Sequence, residues 1–174
     1  MPNTIDTELV KSWLKRYRDR QVEYELQKER LERLICMAEN VGSPKLTDMP
    51  RAPSPSMDKM SSYVQMKTEL MENIGGILEY SKKTRGQIEA VLRFVKRAEE
   101  RMIIRYRYVD GMEWKDIVDT LFCEKEDLID KWESYEKLTY GFHGKAISDM
   151  AESMESHKGE EGVPSLVEIS QEYF

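Results

Sequence analysis

"RYRYVDGMEWKDIVDTL", residues 105–121, decides how this chain is read. Arginine and tyrosine alternate over 105–108, Asp110-Gly111 follows, and Trp114, Ile117, Val118 and Leu121 recur at i, i+3, i+4 and i+7. That spacing lines four apolar side chains along one stripe of a short helix. Asp-Gly is a turn signal, because glycine tolerates the backbone angles a tight reversal needs. The stretch therefore predicts helix, turn, helix. The helix before the turn covers 97–109, with Met102, Ile103, Tyr106 and Val109 inward and Arg101, Arg105 and Arg107 on other faces. A long helix is expected after it, over about 125–154. Its stripe is Leu128, Trp132, Tyr135, Thr139, Phe142, Ala146 and Met150, with Gly141 and Gly144 inside it. Three such helices are the ingredients of a helix-turn-helix, and equally of a corner in a helical bundle.

Upstream, heptad patterns dominate. Val10, Tyr17, Tyr24, Leu31 and Ala38 recur every seven residues, joined by Trp13 and Leu34, so residues 5–39 read as one helix. Residues 57–95 read as a second, with Tyr63, Leu70, Ile74, Ile77, Ser81, Thr84, Ile88, Val91 and Val95 on its stripe. Between them, "VGSPKLTDMPRAPSPS" (41–56) carries Pro44, Pro50, Pro53 and Pro55, which cannot sit inside a helix. The expected fold is all-α. A long antiparallel coiled-coil hairpin fills 1–95, a helix-turn-helix domain fills 96–154, and an acidic, disordered tail fills 155–174. The stripes suit either an intramolecular hairpin or a homodimer.

The 174-residue chain has a net charge of −6, of which the tail supplies −4 and the rest −2. A nearly neutral body neither requires nor excludes a nucleic-acid partner. Two cysteines, Cys36 and Cys123, stand far apart, so a reduced, cytoplasmic protein is the expectation. No stretch is apolar enough to span a membrane, and the first residues lack a signal pattern. There are two histidines, His143 and His157, with no HExxH, P-loop or GxSxG motif. We therefore expect no catalytic residues, no metal and no cofactor.

The stretch at 105–121 resembles the start of the helix-turn-helix in region 4 of sigma-70-type factors. Arg107-Tyr108, Gly111, Trp114, Ile117 and Leu121 fill the corresponding places. With "SPKLTDMPR" (43–51) and "HGKAI" (143–147), the chain is similar, over roughly residues 10–150, to phage-encoded ArpU-like transcriptional regulators of Gram-positive phages and prophages. The resemblance implies promoter DNA binding and control of phage late genes without catalysis, with RNA polymerase as a possible partner. Two departures stand out. "FCEKEDLIDKWES" (122–134) looks inserted before the reading helix, and Gly141 stands where the family commonly has arginine. A helix starting near 125 would put Glu124, Glu126, Asp127 and Asp130 in its first turn. Those residues suit the helix dipole but repel phosphate.

For DNA reading the expected residues are Lys137, Tyr140, His143 and Lys145. Ser134 would cap a broken helix and meet a phosphate, and Arg101, Arg105 and Arg107 would contact phosphates. Two other readings compete. One is a protein–protein adaptor that binds RNA polymerase, or another partner, without reading DNA. The weaker one is a small terminase-like packaging subunit, since such subunits also join a helix-turn-helix to a coiled coil.

Overall fold

The computed structural model describes residues 4–40 and 56–171, and every regular element among them is helical. Helix α1 is Thr4–Asn40 and α2 is Ser56–Leu92. Helix α3, Ala98–Ile104, runs directly into a π-helical turn, Arg105–Val109. Helices α4, Trp114–Phe122, α5, Trp132–Ser156, and α6, Leu166–Gln171, complete the order. The expected connector lies outside the described residues, except for Ser56, which opens α2. "SPKLTDMPR" is wholly outside them.

The chain divides into two compact units: Met1–Asp19 with Lys82–Phe174, and Arg20–Ser81. Both divisions fall within continuous helices, at 19/20 in α1 and 81/82 in α2, whereas the sequence suggests one boundary at residue 95. The first unit holds the main core. Val10, Trp13, Leu14 and Tyr17 of α1 join Ile88, Val91 and Leu92 at the end of α2, Val95 just beyond it, Ile104, Tyr108, and Ala146, Ile147, Met150 and Met154 of α5. Ile103, Ile117 and Val118 are also fully buried. Burying a side chain of this size contributes roughly 1.5–3 kcal/mol, which far exceeds any helix-propensity term. The heptad stripes thus name the right face of both long helices.

The second unit is thin. Among its described residues only Leu70, Ile77 and Ser81 are buried. The guanidinium of Arg20 lies 5.9 Å from the ring centre of Tyr80. Leu34 and Met37 border a groove of about 350 Å³ with Met66 and Leu70.

Three expectations are corrected. Around the opening stretch, Ile103, Ile104 and Tyr108 are buried, whereas Met102 is exposed and Tyr106 and Val109 are half-buried. The buried face is that of Glu100, Ile103, Ile104 and Tyr108, at i, i+3, i+4 and i+8, which turns Met102, Tyr106 and Val109 to the other side. The helix ends in a π turn, where the Asp110 N–H reaches back five residues to the Arg105 carbonyl at 2.9 Å. Second, residues 126–131 form turns rather than helix, and α5 begins only at Trp132. Third, residues 155–171, read as an acidic disordered tail, contribute packing. Val163 and Ile169 belong to the core, and Leu166 packs against it. Helix α6 opens on a capping box: Ser165 Oγ accepts from the Glu168 N–H at 3.2 Å, and Glu168 Oε2 accepts from the Ser165 N–H at 2.7 Å. Gly162 (φ +82°) passes so close to α2 that a Cβ would sit 3.3 Å from Ala90 Cβ.

Candidate nucleic-acid interface

The turn between α3 and α4 is stapled by ionic contacts. Gly111 has φ +71°, a conformation that glycine adopts without steric cost. Arg18 donates to the Gly111 carbonyl at 3.2 Å and to Glu113 Oε1 at 2.7 Å. Arg107 donates to the Met112 carbonyl at 3.0 Å and to Glu113 Oε2 at 3.3 Å, with its guanidinium 4.9 Å from the Trp114 ring centre. Hydrogen bonds from Arg18 and then Arg107 hold the Glu113 carboxyl below the usual carboxylate range.

The other two arginines are engaged in a similar way. Arg101 donates to the carbonyls of Val95 (2.7 Å) and Lys96 (2.9 Å), closing the chain after α2. Arg105 grips Glu89 through Nε (3.1 Å) and Nη2 (2.6 Å), a bidentate pair. That grip lowers the Glu89 pKa, and the hydrogen bond is the largest cause. Arg101, Arg105 and Arg107, the expected phosphate contacts, thus each donate to protein oxygens, Arg101 and Arg107 through Nη1 and Arg105 through Nε and Nη2.

His143 is likewise engaged. Its ring lies 5.0 Å, edge on, from Trp114, and its Nε2 shares a 3.0 Å hydrogen bond with the Tyr108 hydroxyl. Burial first, then the positive charges of Lys11 and Arg107, press its pKa down from 6.5 to about 4. The neutral imidazole is held between Tyr108 and Trp114.

Four of the expected residues do remain accessible. Ser134, Lys137, Tyr140 and Lys145 are all exposed on α5. Helical spacing sets Ser134, Lys137, Gly141, Gly144 and Lys145 on one outward face, with Tyr140 at its edge. The inward face holds Thr139, Ala146, Ile147 and Met150. Ser134 does not cap the helix. It lies inside the first turn, its N–H donating to the Lys131 carbonyl at 2.9 Å, and the N-cap position is Lys131. Tyr140 stacks edge on against Trp114 at 4.8 Å. Lys145 Nζ is 3.9 Å from Glu100 Oε1, and Glu133 lies in the first turn of α5. The outward face is close to charge balance.

Sequence reasoning missed two groups. Asp127 accepts from Lys131 Nζ (2.7 Å) and the Tyr135 hydroxyl (2.8 Å), closing the acidic segment onto α5. Its spacing at i, i+4 and i+8 was the available signal. Glu100 is wholly buried, with Arg97 Nε at 3.8 Å and Lys145 Nζ at 3.9 Å, at ion-pair rather than hydrogen-bond range. Burial, and next the negative charge of Asp149, raise its pKa. No sequence signal marked it, because the helix position read as solvated. Among the described residues no group of three or more His, Cys, Asp or Glu side chains is placed to hold a metal ion.

No protein-family model matches the chain, and no curated protein or solved structure matches it either.

Proposed function

We propose that the chain is a non-catalytic transcription regulator that meets promoter DNA through the outward face of α5. In this reading α3, α4 and α5 form a sigma-region-4-like helix-turn-helix, of the kind found in phage and prophage regulators. The two long helices form a coiled-coil hairpin, and the protein works in the cytoplasm. The observation that carries the reading is the two-sidedness of α5. Its inner face is core, α4 packs on it through Trp114–Tyr140 and Phe122–Tyr135, and Ser134, Lys137, Gly141, Gly144 and Lys145 stay open. A helix anchored on one side by its neighbour and free on the other is what groove insertion requires. Exposed glycines let a phosphate backbone approach the helix axis closely.

Lys137 and Lys145 are the phosphate contacts of this proposal, so binding is weakly electrostatic. A gel-shift series on promoter DNA from the same genome is expected to give a log–log salt slope of about −2, two lysines at roughly 0.9 each. Lys137→Ala weakens binding and reduces that slope by about 1. Binding no tighter than to random DNA at low salt sinks the proposal.

A second reading rests on a specific observation. Ile129, in the turns before α5, is 90% exposed. An apolar side chain offered to solvent among Glu124, Glu126, Asp127 and Asp130 suits a protein partner better than a phosphate backbone, with RNA polymerase the partner this reading names. Purified RNA polymerase retained equally with and without DNase, and lost in Ile129→Asp, would favour the adaptor. Retention unaffected by Ile129→Asp would count against it.

A further inference from the structure

The Arg20–Ser81 unit presents a second apolar stripe, separate from its own packing face. On α2, Leu70 and Ile77 point to the buried side. Val64, Met71 and Leu78 follow one another at seven-residue steps on a different side, with exposures of 58%, 53% and 39%. Met60, also exposed, and the half-buried Ile74 fall at the intervening heptad positions, with Lys67 between them. A seam with this period is the pattern by which one helix packs on another.

We propose that this seam is the interface with a second copy of the chain, the two α2 helices running antiparallel about a two-fold axis near residue 69. Three observations select this occupant. First, the seam is self-complementary in reverse: about residue 69, Met60 faces Leu78, Val64 faces Ile74 and Lys67 faces Met71 of the other copy. A two-fold interface demands that reciprocity. Second, charge rejects the parallel alternative. In-register parallel packing would set Lys67 against Lys67, whereas the antiparallel arrangement lays its stem along a methionine and sends its ammonium outward. Glu69, at the axis, turns away from the seam and accepts from Gln65 Nε2 at 3.0 Å. Third, the area suits the task. The four exposed side chains present on the order of 350 Å² of apolar surface per copy, a patch of the size that marks interaction sites. Two copies bring roughly 700 Å², the apolar centre of an interface of about 1,000 Å². At Gly75, on the seam's border, no atom beyond the glycine's own stretch of helix lies within 4 Å of where a Cβ would be, so the backbone is open to close approach. The pairing also supplies what the unit lacks, since its own buried set is only Leu70, Ile77 and Ser81 among the described residues.

Light scattering on the full chain is expected to give twice 20.5 kDa. Val64→Glu with Met71→Glu returns the mass to 20.5 kDa, and helical content by circular dichroism stays, because both positions are exposed. Orientation is read by oxidative cross-linking in a background where Cys36 and Cys123, both exposed, are serine. A chain carrying both Val64→Cys and Ile74→Cys forms a covalent dimer, and neither single variant does. A monomeric wild type, or a dimer that survives the two glutamates, overturns the interface. A covalent dimer from Val64→Cys alone overturns the antiparallel arrangement.

Discussion

Helices α1 and α2 each run through two environments. Over residues 4–19 and 82–92 their heptad stripes disappear into a core shared with α3, α5 and α6. Over residues 20–81 the same pattern leaves Tyr24, Leu31, Leu34 and Tyr63 only half-buried. The stripe runs on through the second stretch, interrupted in α1 by Arg20 and Gln27, and its burial there is far lower. A stripe tells which face of a helix is apolar, while the number of partners meeting that face decides how much surface leaves water.

The largest test of that difference is truncation on each side of it. Trp13→Ala, in the dense unit, is expected to cost about 3–5 kcal/mol in urea unfolding, whereas Ile77→Ala in the thin unit costs about 2 kcal/mol or less. Equal costs would break the comparison. Next comes acid. His143 is held neutral in the fold, so its contribution is complete above its ordinary value of 6.5 and disappears as the pH falls toward about 4. The dense unit is expected to lose on the order of 3 kcal/mol over that window, read from melts at successive pH values. His143→Gln flattens this dependence, and a wild-type stability that is level from pH 7 to 4 refutes the assignment.

A smaller effect sharpens the picture within the dense unit. Glu100 has a raised pKa, so its charge weakens the fold as the pH climbs through that value. Glu100→Met is expected to stabilise the protein at pH 8 by about 1 kcal/mol, and less at pH 4. A loss of stability at pH 8 would mean that its pairing with Arg97 and Lys145 outweighs burial. Smallest is Arg105→Ala. Its partly exposed pair with Glu89 is worth at most about 1 kcal/mol, and the salt slope of any DNA binding stays unchanged. A shallower slope would return Arg105 to the phosphate-contact set.

Much of the helical pattern was legible because periodicity reports burial directly. Leu70, Ile77, Ser81, Thr84, Ile88, Val91 and Val95 all take the buried face their spacing predicts. Three things escaped. The inward face before the turn is set by Glu100, Ile103, Ile104 and Tyr108, and a buried glutamate at its head gave the apolar pattern no mark there. The acidic segment at 125–131 reads as helix by composition, yet Asp127 spends its charge on Lys131 and Tyr135. The tail reads as acidic and disordered, although Val163, Leu166 and Ile169 are apolar and "SLVE" (165–168) carries a capping-box signal. The site was legible only in outline. Sequence locates Lys137, Tyr140 and Lys145 on α5, but no spacing rule reveals that Arg101 and Arg105 are committed to backbone carbonyls and to Glu89.

The main core is assembled from the first four turns of α1 and from residues as late as Ile169. During synthesis, Val10, Trp13 and Tyr17 therefore emerge long before the surfaces that will cover them. The chain must carry an unsatisfied apolar helix through the translation of the whole intervening stretch. Closing so large a loop makes folding slow relative to a bundle of neighbours in sequence. A ribosome stalled before residue 160 should hold a nascent chain whose N-terminal helix is open to chaperones and proteases.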